Sequence, residues 1–263
     1  MSEERTLQVE IWSDVVCPWC YIGKRRFERA AEQVEIPVQV IWRSFQLNPS
    51  APAEPEPDLA GALARKYGMG HDEARRMLDQ MTRVASDEGL EFDFANAKGG
   101  NTLDAHRLIH FARQAAHAGG ADAAPAPESA PAPGSTPAPE STPTPDLAPI
   151  PHAAGTPDAE DAASAMKERL LRAYFVEGRP IADRETLAEL AGEVGLDPAG
   201  AAQLLEGEEL VEDVRADVQR ARELGIRGVP FFLLDGELGI SGAQPVEVMV
   251  EALRRARSAQ AGA

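Results

Sequence analysis

Strand-forming sequence in this chain is confined to its two ends, which limits the available folds more than any other feature. Near the amino end, "LQVEIW", Leu7 to Trp12, and "VQVIWRSFQL", Val38 to Leu47, are short runs rich in β-branched and aromatic residues. Far downstream, the apolar runs Pro230 to Leu234 and Glu237 to Ser241 are joined by "DG", a strong signal for an antiparallel hairpin. Between the first two runs, Pro18 suits the first turn of a helix, and Ile22, Phe27, Ala30, Ala31 and Val34 supply one apolar face before Pro37 breaks the pattern. A helix joining two strands makes a βαβ unit with parallel strands. "QPVEVMVEALRRAR" closes the chain with Pro at a helix start and Val246, Met249, Val250 and Leu253 on one face. The order predicts an α/β protein in which one sheet is completed by segments far apart in sequence.

The interval between them reads as helical. "DEARRMLDQMTRVASDEG" places Ala74, Met77, Leu78, Met81, Val84 and Ala85 on one side, and "MKERLLRAYF" does the same with Met166, Leu170, Leu171, Tyr174 and Phe175. "DRETLAELAGEVG" and "ELVEDVRADVQRARELG" each end in Gly, the usual stop. These stripes, the two methionines included, are expected to be core packing. Residues 118–163 differ: Pro alternates with Ala, Ser and Thr, and too little apolar surface is present to offset the entropy of ordering, so disorder is expected there. The predicted organisation is therefore 1–50 with 225–257 as one discontinuous unit and 51–224 as an inserted helical unit.

A net charge of −17 works against binding nucleic acid or anionic lipid. The amino end "MSEERTLQVEIW" has no apolar run of signal-peptide length, and nowhere do about 18 apolar residues follow one another. The expectation is a cytoplasmic protein with no membrane and no nucleic acid among its partners.

The chain's two cysteines, Cys17 and Cys20, stand in "CPWC", where the first strand ends and the first helix begins. In a reducing compartment such a pair is more often catalytic or metal-binding than a structural disulfide. A thiol attacks as thiolate, and a free cysteine is only about 3% ionised at pH 7. At a helix amino end, unpaired N–H groups and the helix dipole favour the anion, which suits Cys17 to be the nucleophile. Three positions along, Cys20 is a neighbour on the same face, placed to resolve a mixed disulfide. Pro18 and Trp19 shape the turn and shield the sulfurs. Zinc would need about two more ligands; His106 and His110 are one helical turn apart but far downstream, and no second CxxC exists. Covalent haem needs His after the second cysteine, where Tyr21 stands. A structural disulfide closing so short a loop would restrain the unfolded chain little. No metal and no organic cofactor are expected, only a redox-active Cys17–Cys20 pair.

"CPWCYIGKRRFE" after "VEIWSDVV", with "WRSFQLNP", "NTLDAHRLIHFA", "ERLLRAYFVEGRPIADRETLAELAGEVGLD" and "GIRGVPFFLLDGELGISGAQP", resembles the DsbA family of thiol oxidoreductases and within it the FrnE-like branch. The resemblance spans nearly the whole chain outside the Pro/Ala-rich segment. It implies a thioredoxin-like fold (βαβ…ββα) with a large helical domain inserted between its halves. It also implies that Val229–Pro230 is a cis peptide facing the dithiol, and that Gly228, Val229 and Pro230 present backbone to a substrate polypeptide. Asn101 to Arg107 are placed near the substrate side, which makes His106 a substrate-binding candidate, although a satisfied structural histidine within the helical unit is the preferred reading. The family's helical domain joins its "HRL" and "KERL" helices by a short link, so the long segment here is a departure that bears on partner choice.

Two neighbouring residues carry weaker expectations. Asp14, three positions before Cys17, either caps the helix or turns the chain, or takes a proton from Cys20 through water. Lys24 reads as a solvated lysine on an exposed helix face. The functional expectation is a cytoplasmic protein dithiol–disulfide reductase or isomerase acting on disulfide- or thiol-bearing protein clients and recycled by another thiol or reductase, with homodimerisation left open. The alternatives are a thiol-dependent isomerase or transferase of small aromatic or polyketide substrates, whose relatives commonly carry Ser for the first cysteine, and a holdase whose thiols are incidental.

Overall fold

The first strand, β1 (Leu7–Ser13), occupies an inner position of the sheet, where every residue but Gln8 is buried. The computed structural model describes residues 6–34, 36–53, 58–119 and 159–262. Helix α1 (Pro18–Val34) carries the chain from β1 to β2 (Val38–Ser44), which pairs parallel to β1 in the register Leu7 to Val38 through Ser13 to Ser44. After a long helical interval, β3 (Phe231–Leu234) pairs antiparallel with the other edge of β1, and β4 (Leu238–Ser241) with β3, giving the order β2-β1-β3-β4. The hairpin connects through Asp235, Gly236 and Glu237, with Asp235 and Gly236 at positive φ (47° and 74°) and Glu237 N–H donating to Leu234 O at 3.0 Å. Asp235 is held in that conformation by its N–H donating to Gln8 O at 2.8 Å and by its carboxylate accepting from Gln8 N at 2.9 Å.

Helices α2 (Leu59–Tyr67), α3 (His71–Asp87), α4 (Leu103–Gly119), α5 (Ala159–Phe175), α6 (Arg184–Glu193), α7 (Pro198–Glu206) and α8 (Val211–Glu223) fill the interval between β2 and β3, and α9 (Val246–Gly262) ends the described chain. Their ends follow local chemistry. Asp58, Asp183 and Asp197 cap the starts of α2, α6 and α7 by accepting backbone N–H groups, and Pro198 occupies the first turn of α7. Of the segment expected to be disordered, 120–158 lie outside the described residues. Its flanks do not fit that expectation: 118–119 close α4 and 159–163 open α5, where Ala159 and Ala163 are buried. Alanine hides well between closely packed helices, and α4 and α5 pack directly on one another.

Alternation along β1 sorts its two faces. Leu7, Val9 and Ile11 meet α1 and α9 together with Phe232 and Leu234, and Phe27 of α1 stacks on Phe232 at 5.4 Å between ring centres. Trp12 points to the opposite face, packs with Ala221, Ile226 and Leu233, and donates its indole N–H to Asp217 O of α8 at 3.1 Å. The larger core runs without a break from the sheet through α1 into the helical interval, including Leu108, Leu170 and Leu204. The inserted helices therefore share a core with the sheet.

Lys24 is not a solvated surface residue. It is buried in α1 and pairs with Glu28 and, at 2.7 Å, with Glu168 of α5. Arg25 joins the same two carboxylates, and Tyr21 donates its hydroxyl to Glu168 at 2.6 Å. Burial opposes ionisation of Glu168, but Lys24 and Arg25 hold its carboxyl at about 2. The helix that opens with the dithiol is thus clamped to the inserted helices.

Candidate active site

Beyond Ser13 the chain leaves the sheet in a turn closed by Cys17 N–H donating to Asp14 O at 3.3 Å, and α1 begins at the next residue, Pro18. Proline there lacks an N–H that the helix could not have used. No acidic side chain lies in the first turn, so Cys17 takes the anion-favouring place at the helix end alone. Cys20 N–H donates to Cys17 O at 3.0 Å, which fixes the relation of the two cysteines. Both are free thiols.

Cys17 is 4% exposed, and its thiol donates to Val229 O at 3.6 Å. The Val229–Pro230 bond is cis, and the loop before β3 lies against the nucleophile. Gly23 of α1 allows this approach: a Cβ at that position would sit 2.8 Å from Pro230 Cγ. Behind Cys17, Cys20 is buried, and burial first, then the neighbouring Cys17, pushes its thiol well above the ordinary range. The pair is asymmetric, with one sulfur at the surface of a cleft and one that keeps its proton behind it.

Beneath the cysteines lies a buried polar group. The Asp14 carboxylate accepts from Leu47 N–H at 2.8 Å and contacts His106 Nε2 at 3.3 Å. It does not cap α1; only its backbone carbonyl serves the turn. Burial pushes Asp14 up, yet His106, the Leu47 N–H and Lys167 outweigh it and hold the carboxyl below its usual value. Burial likewise lowers His106, so the imidazole is neutral and donates its Nε2–H to the carboxylate. Lys167 of α5 is buried with its ammonium 5.6 Å from the Trp42 ring centre. Burial pulls it down to about 8 against the opposing pull of Cys20, Asp14 and Cys17.

An apolar cleft of about 400 Å³ opens from Cys17 toward the inserted helices. Pro18, Trp19, Gly228 and Val229 line it beside Cys17. Pro230 is buried against Gly23 next to it. The dithiol, its two intervening residues and the loop at 228–230 are thus brought together. His106 is not part of the cleft: it is 1% exposed and spent on Asp14, which corrects its candidacy as a substrate contact. His110, one turn on, meets Ser44 Oγ and Asp217 instead, so α4 does not offer its two histidines to one ion. The far wall of the cleft is built by α2 and α3, with Met77, Leu78 and Met81 half-buried along it. All three are expected in the core by spacing, and Met81 does pack against it, whereas Met77 and Leu78 do not; the side of α3 that is fully buried carries Ala74 and Ala85.

The sequence profile of the DSBA-like thioredoxin domain matches residues 8–123 and 140–254. A probable DsbA oxidoreductase from Streptomyces coelicolor is similar at 32% identity and a TM-score of 0.73, over 95% of this chain and 89% of that one. An uncharacterised protein of Bacillus subtilis, YwbO, is 26% identical over 94% of this chain and 96% of its own length. The cytosolic disulfide reductase DsbM of Pseudomonas aeruginosa, at 20% identity and a TM-score of 0.54 over 95% and 98% of the two chains, shares the fold.

Proposed function

Because the chain belongs to the DSBA-like thioredoxin domain family, we propose that it is a protein dithiol–disulfide oxidoreductase in which Cys17 attacks and Cys20 resolves. The observation that carries this reading is the asymmetry of the two thiols, Cys17 at the cleft against Val229 and Cys20 buried with its proton retained. In the first step the Cys17 thiolate attacks one sulfur of a client disulfide, forms a mixed disulfide and expels the other sulfur as thiolate. In the second, Cys20 loses its proton and attacks Cys17 Sγ, releasing the client's remaining thiolate and leaving Cys17–Cys20 oxidised. The client gains two electrons and the pair loses two.

Asp14 is assigned as the acceptor of the Cys20 proton, through water. Its ionised carboxylate belongs to the buried polar group beneath the dithiol, and the proton needs an acceptor only when Cys20 must attack. Lys167, near enough for both sulfurs to act on its charge, favours the thiolates electrostatically. Among the described residues no helix is long and apolar enough to cross a membrane. We place the protein in the cytoplasm, where the pair rests reduced and the direction is reductase or isomerase, with a second thiol regenerating it.

The test is a Cys20→Ala variant mixed with a disulfide-bearing protein. A covalent adduct on Cys17, released by dithiothreitol and visible by mass spectrometry, is expected; absence of any adduct refutes the assignment.

A further inference from the structure

Two buried hydroxyls that line the cleft take no part in either exchange step. Tyr174 of α5 is 2% exposed, with its ring edge-on to Phe175 at 4.7 Å between ring centres, and Thr102, immediately before α4, is 3% exposed. Both line the cleft, as do Asp14 and Cys17. Neither hydroxyl has a hydrogen-bond partner among the described residues; the Thr102 carbonyl, by contrast, accepts His106 N–H at 3.0 Å. A buried hydroxyl without a protein partner takes one from water wherever water can reach it. The other polar groups near the dithiol do not open this way. His106 is spent on Asp14 and Lys167 sits beside Trp42, and neither lines the cleft. Lys66 does line it, but against Tyr67 at the outer end. Burial first, then the charge of Asp14, raises the Tyr174 phenol, so it keeps its proton and can both donate and accept.

Asp14 is fully buried, with its carboxylate engaged by Leu47 N–H and His106, so a proton placed on it needs a way out. We infer that Tyr174 and Thr102 are positioning residues for the water that carries this proton from Asp14 into the cleft, where the departing client thiolate takes it. The inference rests on the oxidoreductase reading with Asp14 as acceptor and adds the second half of the proton's route. In the resolving step Cys20 gives its proton to Asp14 and attacks Cys17 Sγ. The Cys17–Cys20 bond forms, the bond between Cys17 and the client breaks, and the client sulfur leaves with the electron pair. Asp14 then passes its proton to the held water, and the Tyr174 hydroxyl hands one proton on as it accepts another. The client departs as a thiol, and Asp14 and Tyr174 are as they began. Both the direction and the need are physical: a thiolate holds a proton more tightly than a carboxylate does, and an apolar cleft disfavours leaving the thiolate charged.

The test follows release of a disulfide-bonded peptide from its mixed disulfide with Cys17, by single-turnover rapid-quench alkylation. Wild type is compared with Tyr174→Phe, Thr102→Val, Asp14→Asn and the double variant Asp14→Asn with Tyr174→Phe. Because the Tyr174 hydroxyl has no protein partner, Tyr174→Phe should keep the thermal midpoint, and it should keep the rate at which iodoacetamide alkylates Cys17, a step that uses no proton from Cys20. Release is expected to slow about tenfold in Tyr174→Phe; should that variant melt early, Thr102→Val carries the same expectation at about threefold. The double variant should release no more slowly than Asp14→Asn, because the route serves nothing once its source is gone, whereas a structural effect of Tyr174 would multiply the two losses. Release from Tyr174→Phe at the wild-type rate, or multiplied losses in the double variant, overturns the inference and leaves Asp14 standing as acceptor. Release from Asp14→Asn at the wild-type rate removes Asp14 as acceptor and the route with it. Failure of wild type to form a mixed disulfide removes the oxidoreductase reading itself.

Discussion

Replacing Lys167 with methionine is expected to make the reduced protein more stable. The ammonium of Lys167 is buried beside two thiols, and burial lowers its proton affinity to about 8 even after the help it receives from Cys20, Asp14 and Cys17. Against a free lysine near 10.4, at about 1.4 kcal/mol per tenfold change in proton affinity, holding that cation in the fold costs about 3 kcal/mol at neutral pH. Methionine matches the stem in length and carries no charge. Loss of the contact with Trp42 gives back about 1 kcal/mol, leaving a net gain of about 2 kcal/mol. The sign with pH follows from a depressed folded-state value. Lys167 supports the fold fully above about 10.4, and that support is lost as pH falls through about 8. The advantage of the variant is therefore complete below pH 8 and shrinks as pH rises toward 10. Urea denaturation of reduced wild type and variant at pH 7 and pH 9.5, followed by tryptophan fluorescence, measures this. The same substitution removes a cation that favours the thiolates, so reaction with iodoacetamide at pH 7 should slow. A variant less stable than wild type at pH 7, or a difference that does not narrow by pH 9.5, refutes the reasoning.

Two further outcomes follow from the same region. Asp14→Asn should keep one hydrogen bond to Leu47 and lose about 1 kcal/mol of stability, while slowing release of the client from the mixed disulfide about a hundredfold; rapid-quench alkylation separates this step from the first attack, and an unchanged release rate removes Asp14 as proton acceptor. Gly23→Ala places a methyl group against Pro230 and should cost about 1–3 kcal/mol by overpacking, which an unchanged thermal midpoint would contradict.

What was legible in the sequence was local. The "CPWC" step from strand to helix, the "DG" turn and the Gly stops after α6 and α8 each depend on a few adjacent residues, and each lies where the chain placed it. Helices α2 and α7 are equally local, and Asp58 and Asp197 before apolar runs announce both starts. The rest depended on distant partners. Lys24 reads as a surface lysine until Glu168 arrives from α5, and Lys167 reads as one more polar position of an amphipathic helix. Helical periodicity groups Met77 with Ala74 and Ala85, and nothing local says that the alanines face the core and Met77 a cleft. The polar group under the dithiol joins β1, the exit of β2, α4 and α5, four stretches that only the finished fold assembles.

The placement of β1 between β2 and β3 has a further consequence, for the order of synthesis. The first edge of β1 can be covered as soon as β2 emerges, but the second waits for residues nearly two hundred positions later. At about 5–20 residues per second that is a wait of roughly 10–40 s on the ribosome. Through it the nascent chain already carries both sulfurs, yet lacks Val229 and the shelter of Trp12. A polypeptide arrested before β3 should therefore be an open-edged, sticky species without exchange activity, and competence should arrive in one step once β3 has emerged.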